Sequence, residues 1–135
     1  MRRRADERPY DTEQRPSIAD LYRRAVYFTV WYLVMESGVR RFTDEHGNEV
    51  RLTDERLRHI LRRHPEMAFQ MHRFAETLAS PDAVRPSRSS PAVRLYHRLY
   101  QDLRGRNRYI CLVVKAESDY SFVLTAYLSR SIKGG

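Results

Sequence analysis

A chain of 135 residues can build one hydrophobic core and is too short for two, so we expect a single domain. Its longest apolar run, Ala25 to Met35, is shorter than the roughly 20 residues that cross a bilayer, and a single cysteine excludes an internal disulfide. The net charge of +8 favours a polyanionic partner such as nucleic acid, with a well-solvated basic surface as the alternative. We expect a cytoplasmic protein without membrane contact.

The N-terminal third of the chain divides into an arm, a short helix, an apolar segment and a hairpin. Residues 1–16 are polar and start with MRRR, which predicts a flexible basic arm before a domain over residues 17–135. Ser17 can cap a short helix that ends near Arg24. The segment AVYFTVWYLV favours a buried strand, although a helix remains an alternative. VRRFTDEHGNEVRLT then predicts a β-hairpin with His46 in its turn.

Two consecutive helices are predicted after the hairpin. Thr53 followed by two acidic residues is a helix-start signal, and this helix should end near His64. Pro65 suits the first turn of a second helix that runs to about Ala79. Helical spacing assigns four of its residues to the core: Met67, Met71, Phe74 and Leu78. The serine- and proline-rich segment Ser80 to Pro91 predicts a loop that carries Arg85.

Three strand-like segments complete the chain: VRLYHRLY, RYICLVVKAE and YSFVLTAYLS. Their short connections predict an antiparallel meander, after which the tail RSIKGG should fray. The sequence therefore predicts an α+β fold, with two or more helices packed on an antiparallel β-sheet that ends in a three-stranded meander.

Alternation along these strands separates an apolar face from a polar face. The expected core face contains Leu95, Leu99, Ile110, Leu112, Val114, Phe122, Leu124, Ala126 and Leu128. The expected polar face contains Arg94, Tyr96, Arg98, Tyr100, Tyr109, Cys111, Val113, Lys115, Ser121, Val123, Thr125 and Tyr127. Cations and tyrosine rings together suit RNA, because they bind phosphates and stack on bases. An ordinary solvent-exposed sheet face would show the same residue types.

The first predicted helix carries HILRRHPEM, in which two histidines flank two arginines. On a helix, His59 lies beside Arg63, a combination that suits acid/base chemistry and phosphate binding, although a solvated helix flank is the alternative. His59 and His64 are five residues apart and so lie on different sides of the helix, unlike the two histidines of a metal-binding HExxH helix. We therefore expect no metal site and no cofactor.

These motifs together resemble the phage-type branch of the barnase, EndoU, colicin and RelE-like (BECR) nuclease superfamily. The resemblance covers about Val50 to Ser131 and rests on LTDERLRHILRRHPEM, ETLASPDAV, RLYHRLY, YICLVVK and FVLTAYLS. It implies helices on one side of an antiparallel sheet and a metal-independent ribonuclease centre in the groove between helix and sheet.

The resemblance also implies roles for individual residues. His59 or His64 would be the acid/base, with Arg63 beside it, and Arg98 and Thr125 would stabilise charge or donate hydrogen bonds. The candidates for substrate binding are Tyr96, Lys115, Tyr127 and Arg85, of which Lys115 is chosen on geometry alone.

Three hypotheses follow from the sequence. The first is a metal-independent endoribonuclease that acts on RNA as a toxin or phage-related effector, with an antitoxin or immunity protein as a candidate partner. The second is a non-catalytic RNA-binding or toxin-partner module on the same fold. The third is an oligomeric structural domain, in which the strand over Ala25 to Met35 pairs across a homodimer interface.

Overall fold

The computed structural model describes residues 17–25 and 38–134. The predicted arm of residues 1–16, and nearly all of the predicted apolar strand, lie outside the described residues. Residues 18–25 form helix α1. Ser17 Oγ accepts a hydrogen bond from Asp20 N at 3.0 Å, and Ser17 N donates to the Asp20 carboxylate at 3.3 Å. This reciprocal pair satisfies two free helix-end donors and confirms the predicted cap.

The predicted hairpin is confirmed. Strand β1 (Val39–Thr43) pairs antiparallel with strand β2 (Glu49–Thr53). In the turn, Asp44 Oδ1 accepts hydrogen bonds from the backbone N–H groups of His46 and Asn48. Gly47 has a φ of 85°, a left-handed conformation that glycine adopts without steric cost. His46 is thus an exposed turn residue, as predicted.

Helix α2 (Asp54–Arg63) follows β2 directly. Thr53 Oγ1 accepts from Arg56 N at 3.2 Å, which confirms the predicted N-cap. Its buried side, Leu57, Ile60 and Leu61, faces the core. The chain leaves the helix at His64, whose φ of −134° and ψ of 70° are not helical. A preference for an extended backbone before proline accounts for this exit.

The predicted second helix is instead three short pieces. Two 3-10 helices, Pro65–Phe69 and Met71–Arg73, precede helix α3 (Phe74–Ala79). Gln70, with a φ of −118°, separates the two 3-10 helices. The core assignment holds for most of the segment: Met67, Phe74 and Leu78 are fully buried, and Met71 packs at the edge of the core.

The predicted loop after this segment contains a strand that the sequence reasoning missed. Strand β3 (Ala83–Pro86) pairs antiparallel with strand β4 (Val93–Leu99). Its composition indicated a loop because Pro86 cannot donate to a sheet ladder. The strand lies at the edge of the sheet, however, where proline is tolerated.

Strands β5 (Tyr109–Ala116) and β6 (Ser121–Ser129) complete the predicted meander with β4. In the described part of the chain, the six strands form one sheet in the order β1-β2-β6-β5-β4-β3, with β2 and β6 parallel and the other pairs antiparallel. Helix α2 packs against β2 and β6, and α3 packs against β1, β4 and β5. The α+β fold class is confirmed, with a parallel pair that the sequence did not predict.

The two faces of the sheet differ from the prediction in strand β4. Tyr96 lies opposite Leu112, and Leu112 lies opposite Ala126, so these three side chains share the face that packs under the helices. We call this the core face. His97 lies opposite Cys111, which lies opposite Tyr127, and these residues define the second face. The prediction that Tyr96 and Arg98 share a polar face with Thr125 is therefore wrong. Alternation within one strand does not reveal which set of side chains turns toward the helices.

A β-bulge shifts the alternation along β6. Val113 pairs with Thr125, but the next residue, Val114, pairs with Val123, so Leu124 is an extra residue. Val123 is consequently buried on the core face, and Phe122 moves to the second face. Strict alternation predicts both residues on the opposite sides, and that prediction is wrong.

Candidate functional site

The end of helix α2 meets strand β6 at an aromatic contact. The ring of His64 lies 5.8 Å from the ring of Tyr127, at an interplanar angle of 39°. The backbone is no longer helical at His64. The direction of the His64 side chain is therefore set by the turn before Pro65 and not by the helical spacing of α2. The side chain remains 34% exposed, so its imidazole is accessible to a ligand.

Cys111, on the neighbouring strand β5, interacts with Tyr127. The Tyr127 hydroxyl and the Cys111 thiol share a hydrogen bond, and both residues lie on the second face. Burial, and then this hydrogen bond, raise the pKa of Tyr127, while burial raises the pKa of Cys111 to about 11. Both groups are consequently neutral near neutral pH. The phenol is a fixed neutral hydrogen-bonding group beside an accessible imidazole.

Two further predicted site residues lie on the second face. Thr125 precedes Tyr127 by two residues on the same strand and points to the same side. Lys115 belongs to this face through its pairing with Phe122. The structure therefore places Thr125, Tyr127 and Lys115 on one surface, and brings His64 to it from the helix.

Glu66 is a site residue that the sequence reasoning missed. Its carboxylate Oε2 lies 3.8 Å from His64 Nδ1. The signal was the HPE triplet, in which a proline forces a turn that brings the carboxylate back toward the imidazole. A carboxylate in this position can orient the imidazole ring.

Helix α2 presents four arginines without acidic partners. Arg56, Arg58, Arg62 and Arg63 are all solvent-accessible, and none has an ion pair within the described residues. The two acidic residues of α2, Asp54 and Glu55, are the first two residues of the helix. The rest of α2, from Arg56 to Arg63, is therefore a concentrated positive surface, which attracts anions.

His59 lies within this positive surface. Partial burial lowers its pKa first, and the charges of Arg56, Arg63, Arg62 and His64 lower it further. Each of these charges disfavours the protonated imidazole. His59 is thus mainly neutral near neutral pH and able to accept a proton.

This arrangement predicts the titration of His59. In NMR titrations, its midpoint should fall below the ordinary value of about 6.5. Because positive neighbours depress the pKa, Arg63→Gln should raise the midpoint toward that value, and so should high salt, which screens the arginines. A midpoint that does not respond to Arg63→Gln would contradict this account.

Arg98 and Tyr96 lie away from these groups. Arg98 donates to the Ser80 carbonyl and pairs with Glu76 at 3.4 Å, so it ties β4 to helix α3. Tyr96 is 4% exposed on the core face. Burial, and then the carboxylates of Glu45 and Asp44, raise its pKa. The structure does not bring these two residues together with Thr125.

Arg85 also lies apart from the His64–Tyr127 contact. It pairs with Leu95 across β3 and β4, which places it on the second face, three strands away from Tyr127. Its guanidinium is exposed. Arg85 therefore shares the surface of Thr125 and Tyr127 but cannot contact the same small ligand.

The family comparison matches residues 34–133 to PBECR2, described as phage-Barnase-EndoU-ColicinE5/D-RelE like nuclease2. The chain belongs to this family of nucleases. The matched range includes His59, His64, Tyr127 and every other candidate residue named above. Comparison with curated proteins and with solved structures finds no match.

Residues 17–25 and 38–134 contain no group of three His, Cys, Asp or Glu side chains that could hold a metal ion. Over the same ranges, no helix is long and apolar enough to span a bilayer.

Proposed function

We propose that this PBECR2 nuclease is a metal-independent endoribonuclease, whose centre lies where the end of helix α2 meets the second face of the sheet. The observation that carries the proposal is the contact of His64 with Tyr127, beside arginines of α2 that have no ion pair among the described residues. It combines a titratable group, a neutral hydrogen-bonding group and positive charge at one accessible surface.

The proposed chemistry is attack of the ribose 2′-OH on the adjacent phosphorus. His59 accepts the 2′-OH proton, because its lowered pKa keeps it neutral. His64 donates a proton to the departing 5′-oxygen, and Glu66, 3.8 Å away, orients its imidazole ring. The O–P bond to the 2′-oxygen forms as the bond to the 5′-oxygen breaks, which leaves a 2′,3′-cyclic phosphate.

Charge on the phosphoryl oxygens is stabilised in this proposal by Arg63, with Arg56 beside it. Guanidinium groups bind phosphate oxygens through paired N–H donors, and this pair has no competing carboxylate among the described residues. Thr125 donates a hydrogen bond to the same phosphate, and Tyr127 orients His64. Lys115 lies farther along the second face and is assigned to substrate binding.

The proposal extends to the biological setting. RNA is the substrate, the protein acts in the cytoplasm, and its wider role is that of a toxin or phage-related effector controlled by an antitoxin or immunity protein. The exposed positive surface of α2 supports this part, since an acidic inhibitor could cover it as RNA would. A homodimer formed through Ala25 to Met35 is a separate hypothesis, and all of this segment except Ala25 lies outside the described residues.

The test is cleavage of structured and unstructured RNA by the purified full chain in EDTA. We expect products that end in a 2′,3′-cyclic phosphate, an equal rate after addition of Mg²⁺, and no cleavage of RNA with 2′-O-methyl riboses. Intact RNA at high protein concentration would overturn the proposal, and so would a requirement for a divalent metal. Salt-sensitive RNA binding without turnover would support the non-catalytic RNA-binding module instead.

A further inference from the structure

The sequence predicts that the C-terminal segment RSIKGG frays. In the structure, Lys133 and Gly134 instead pack on the second face, beside strand β3. The backbone N–H of Lys133 donates to His97 Nε2 at 2.9 Å, and His97 is 0% exposed. Gly134 follows with a φ of 91°. A Cβ built on Gly134 would lie 3.0 Å from both Arg85 Cβ and the Pro86 carbonyl oxygen, so the segment lies directly against strand β3.

This packing brings Lys133 and Arg85 to one surface. Arg85 points to the second face because it pairs with Leu95, and the backbone beside Lys133 contacts Arg85. Both side chains are exposed, and neither has an acidic partner within the described residues. Two neighbouring cations that lack a carboxylate between them form a site for an external anion.

His97 adds no negative charge to this pair. Its Nε2 accepts a hydrogen bond, so the ring proton is on Nδ1. Burial lowers the pKa of His97, a hydrogen bond with the Leu95 backbone raises it, and the charges of Arg85 and Lys133 lower it. His97 is a buried side chain that fixes the position of the C-terminal segment and contributes no negative charge to the two cations.

We propose that Arg85 and Lys133 form a second phosphate site, which binds a phosphodiester of the RNA strand other than the one that is cleaved. This inference rests on the proposed function and names its substrate as a single-stranded oligonucleotide that reaches from the end of helix α2 to the β3 edge of the sheet. Arg85, Leu95, Val113 and Thr125 are paired across four adjacent strands, which places Arg85 about 14 Å from Thr125. His97 and Cys111, which lie between, are buried, so the contacts are made at the two ends of this span. One strand of RNA can contact both sites, while one phosphate cannot.

The experiment compares short RNAs with a single cleavable ribose, in which one outlying linkage at a time is an uncharged methylphosphonate. For the parent chain, neutralising the linkage that occupies the site should lower kcat/KM about tenfold, as expected for lost charge-assisted hydrogen bonds. The double variant Arg85→Met, Lys133→Met should cleave the native and the neutralised RNA equally well. Gly134→Val keeps both charges but displaces the segment, and it should weaken the same preference.

The matched control is Arg88→Met, Arg130→Met, which removes the same total charge from exposed positions outside the pair. It should retain the parent's preference for the charged linkage. A double variant at Arg85 and Lys133 that keeps this preference would overturn the second site, and a control that loses it equally would do the same.

A binding measurement separates this inference from the ribonuclease proposal. Fluorescence anisotropy with non-cleavable 2′-O-methyl RNA reports the same native-against-methylphosphonate difference in the absence of any turnover. If only the Arg85 and Lys133 double variant loses the preference for the charged linkage, the second site is supported. This holds even where the RNA remains intact in the cleavage assay. Equal affinity of the parent chain for every linkage pattern would overturn it.

Discussion

Replacement of His64 by alanine should lower kcat/KM for RNA cleavage by about 10²–10⁴-fold, the usual contribution of a positioned acid or base. The physical reason is that His64 is the accessible imidazole that contacts Tyr127 and has Glu66 at 3.8 Å. RNA binding should change much less, because the arginines of α2 remain. The measurements are single-turnover cleavage rates and anisotropy with non-cleavable RNA.

His59→Ala should produce a loss of similar size if His59 is the base, and the double variant should lose little more than either single variant. Groups that act in one proton-transfer step are strongly non-additive in this way. His46→Ala, in the exposed hairpin turn, is the control for histidine removal and should leave the rate unchanged. Unchanged cleavage by the double variant would rule out both histidines as the acid/base pair.

The pH profile gives the role of His59 a second test. The proposed chemistry requires a neutral His59, so the rate should rise with pH as His59 loses its proton. Because the pKa of His59 is lowered by its burial and by its positive neighbours, this rise should lie below about pH 6.5. Arg63→Gln should move the rise to higher pH.

Local sequence signals predicted most of the elements. The Thr53 cap, the turn at Gly47 and the exit before Pro65 depend on interactions within a few residues, and each is present as expected. The parallel pairing of β2 with β6 depends instead on contacts between segments some 70 residues apart in sequence. Nothing within either strand specifies such a partner.

The candidate site was predictable for the residues of β5 and β6 but not for those of β4. Tyr96 and Arg98 alternate with leucines, and that pattern fits either face. The deciding interactions are distant: the Tyr100 hydroxyl donates to Glu76 at 2.8 Å, and Arg98 pairs with the same carboxylate. These contacts place Tyr96 and Tyr100 on the core face, under helix α3. His97 therefore lies on the second face. The packing of the C-terminal segment against His97 could not be predicted from the sequence, because it requires His97 to lie on the second face.

Phe74→Ala should lower the free energy of unfolding by about 3–5 kcal/mol, the usual cost of truncating a buried phenylalanine. Phe74 is 0% exposed, is the first residue of helix α3 and packs within the cluster that joins the helices to the sheet. Its loss removes apolar burial and leaves a cavity that the surrounding strands can fill only in part. Urea unfolding followed by far-UV circular dichroism measures the change.

Phe69→Ala is the matched control, because it makes the same chemical change at a side chain that is 49% exposed. Its ring contacts Tyr22 at 5.6 Å, outside the buried cluster, so the cost should stay near 1 kcal/mol or below, as expected for a half-exposed ring that leaves no closed cavity. Equal destabilisation by the two variants would contradict the assignment of Phe74 to the core. A Phe74→Ala protein that still cleaves RNA at low temperature would show that the site tolerates a weakened core, since His64 and Tyr127 lie on α2 and β6 rather than on α3.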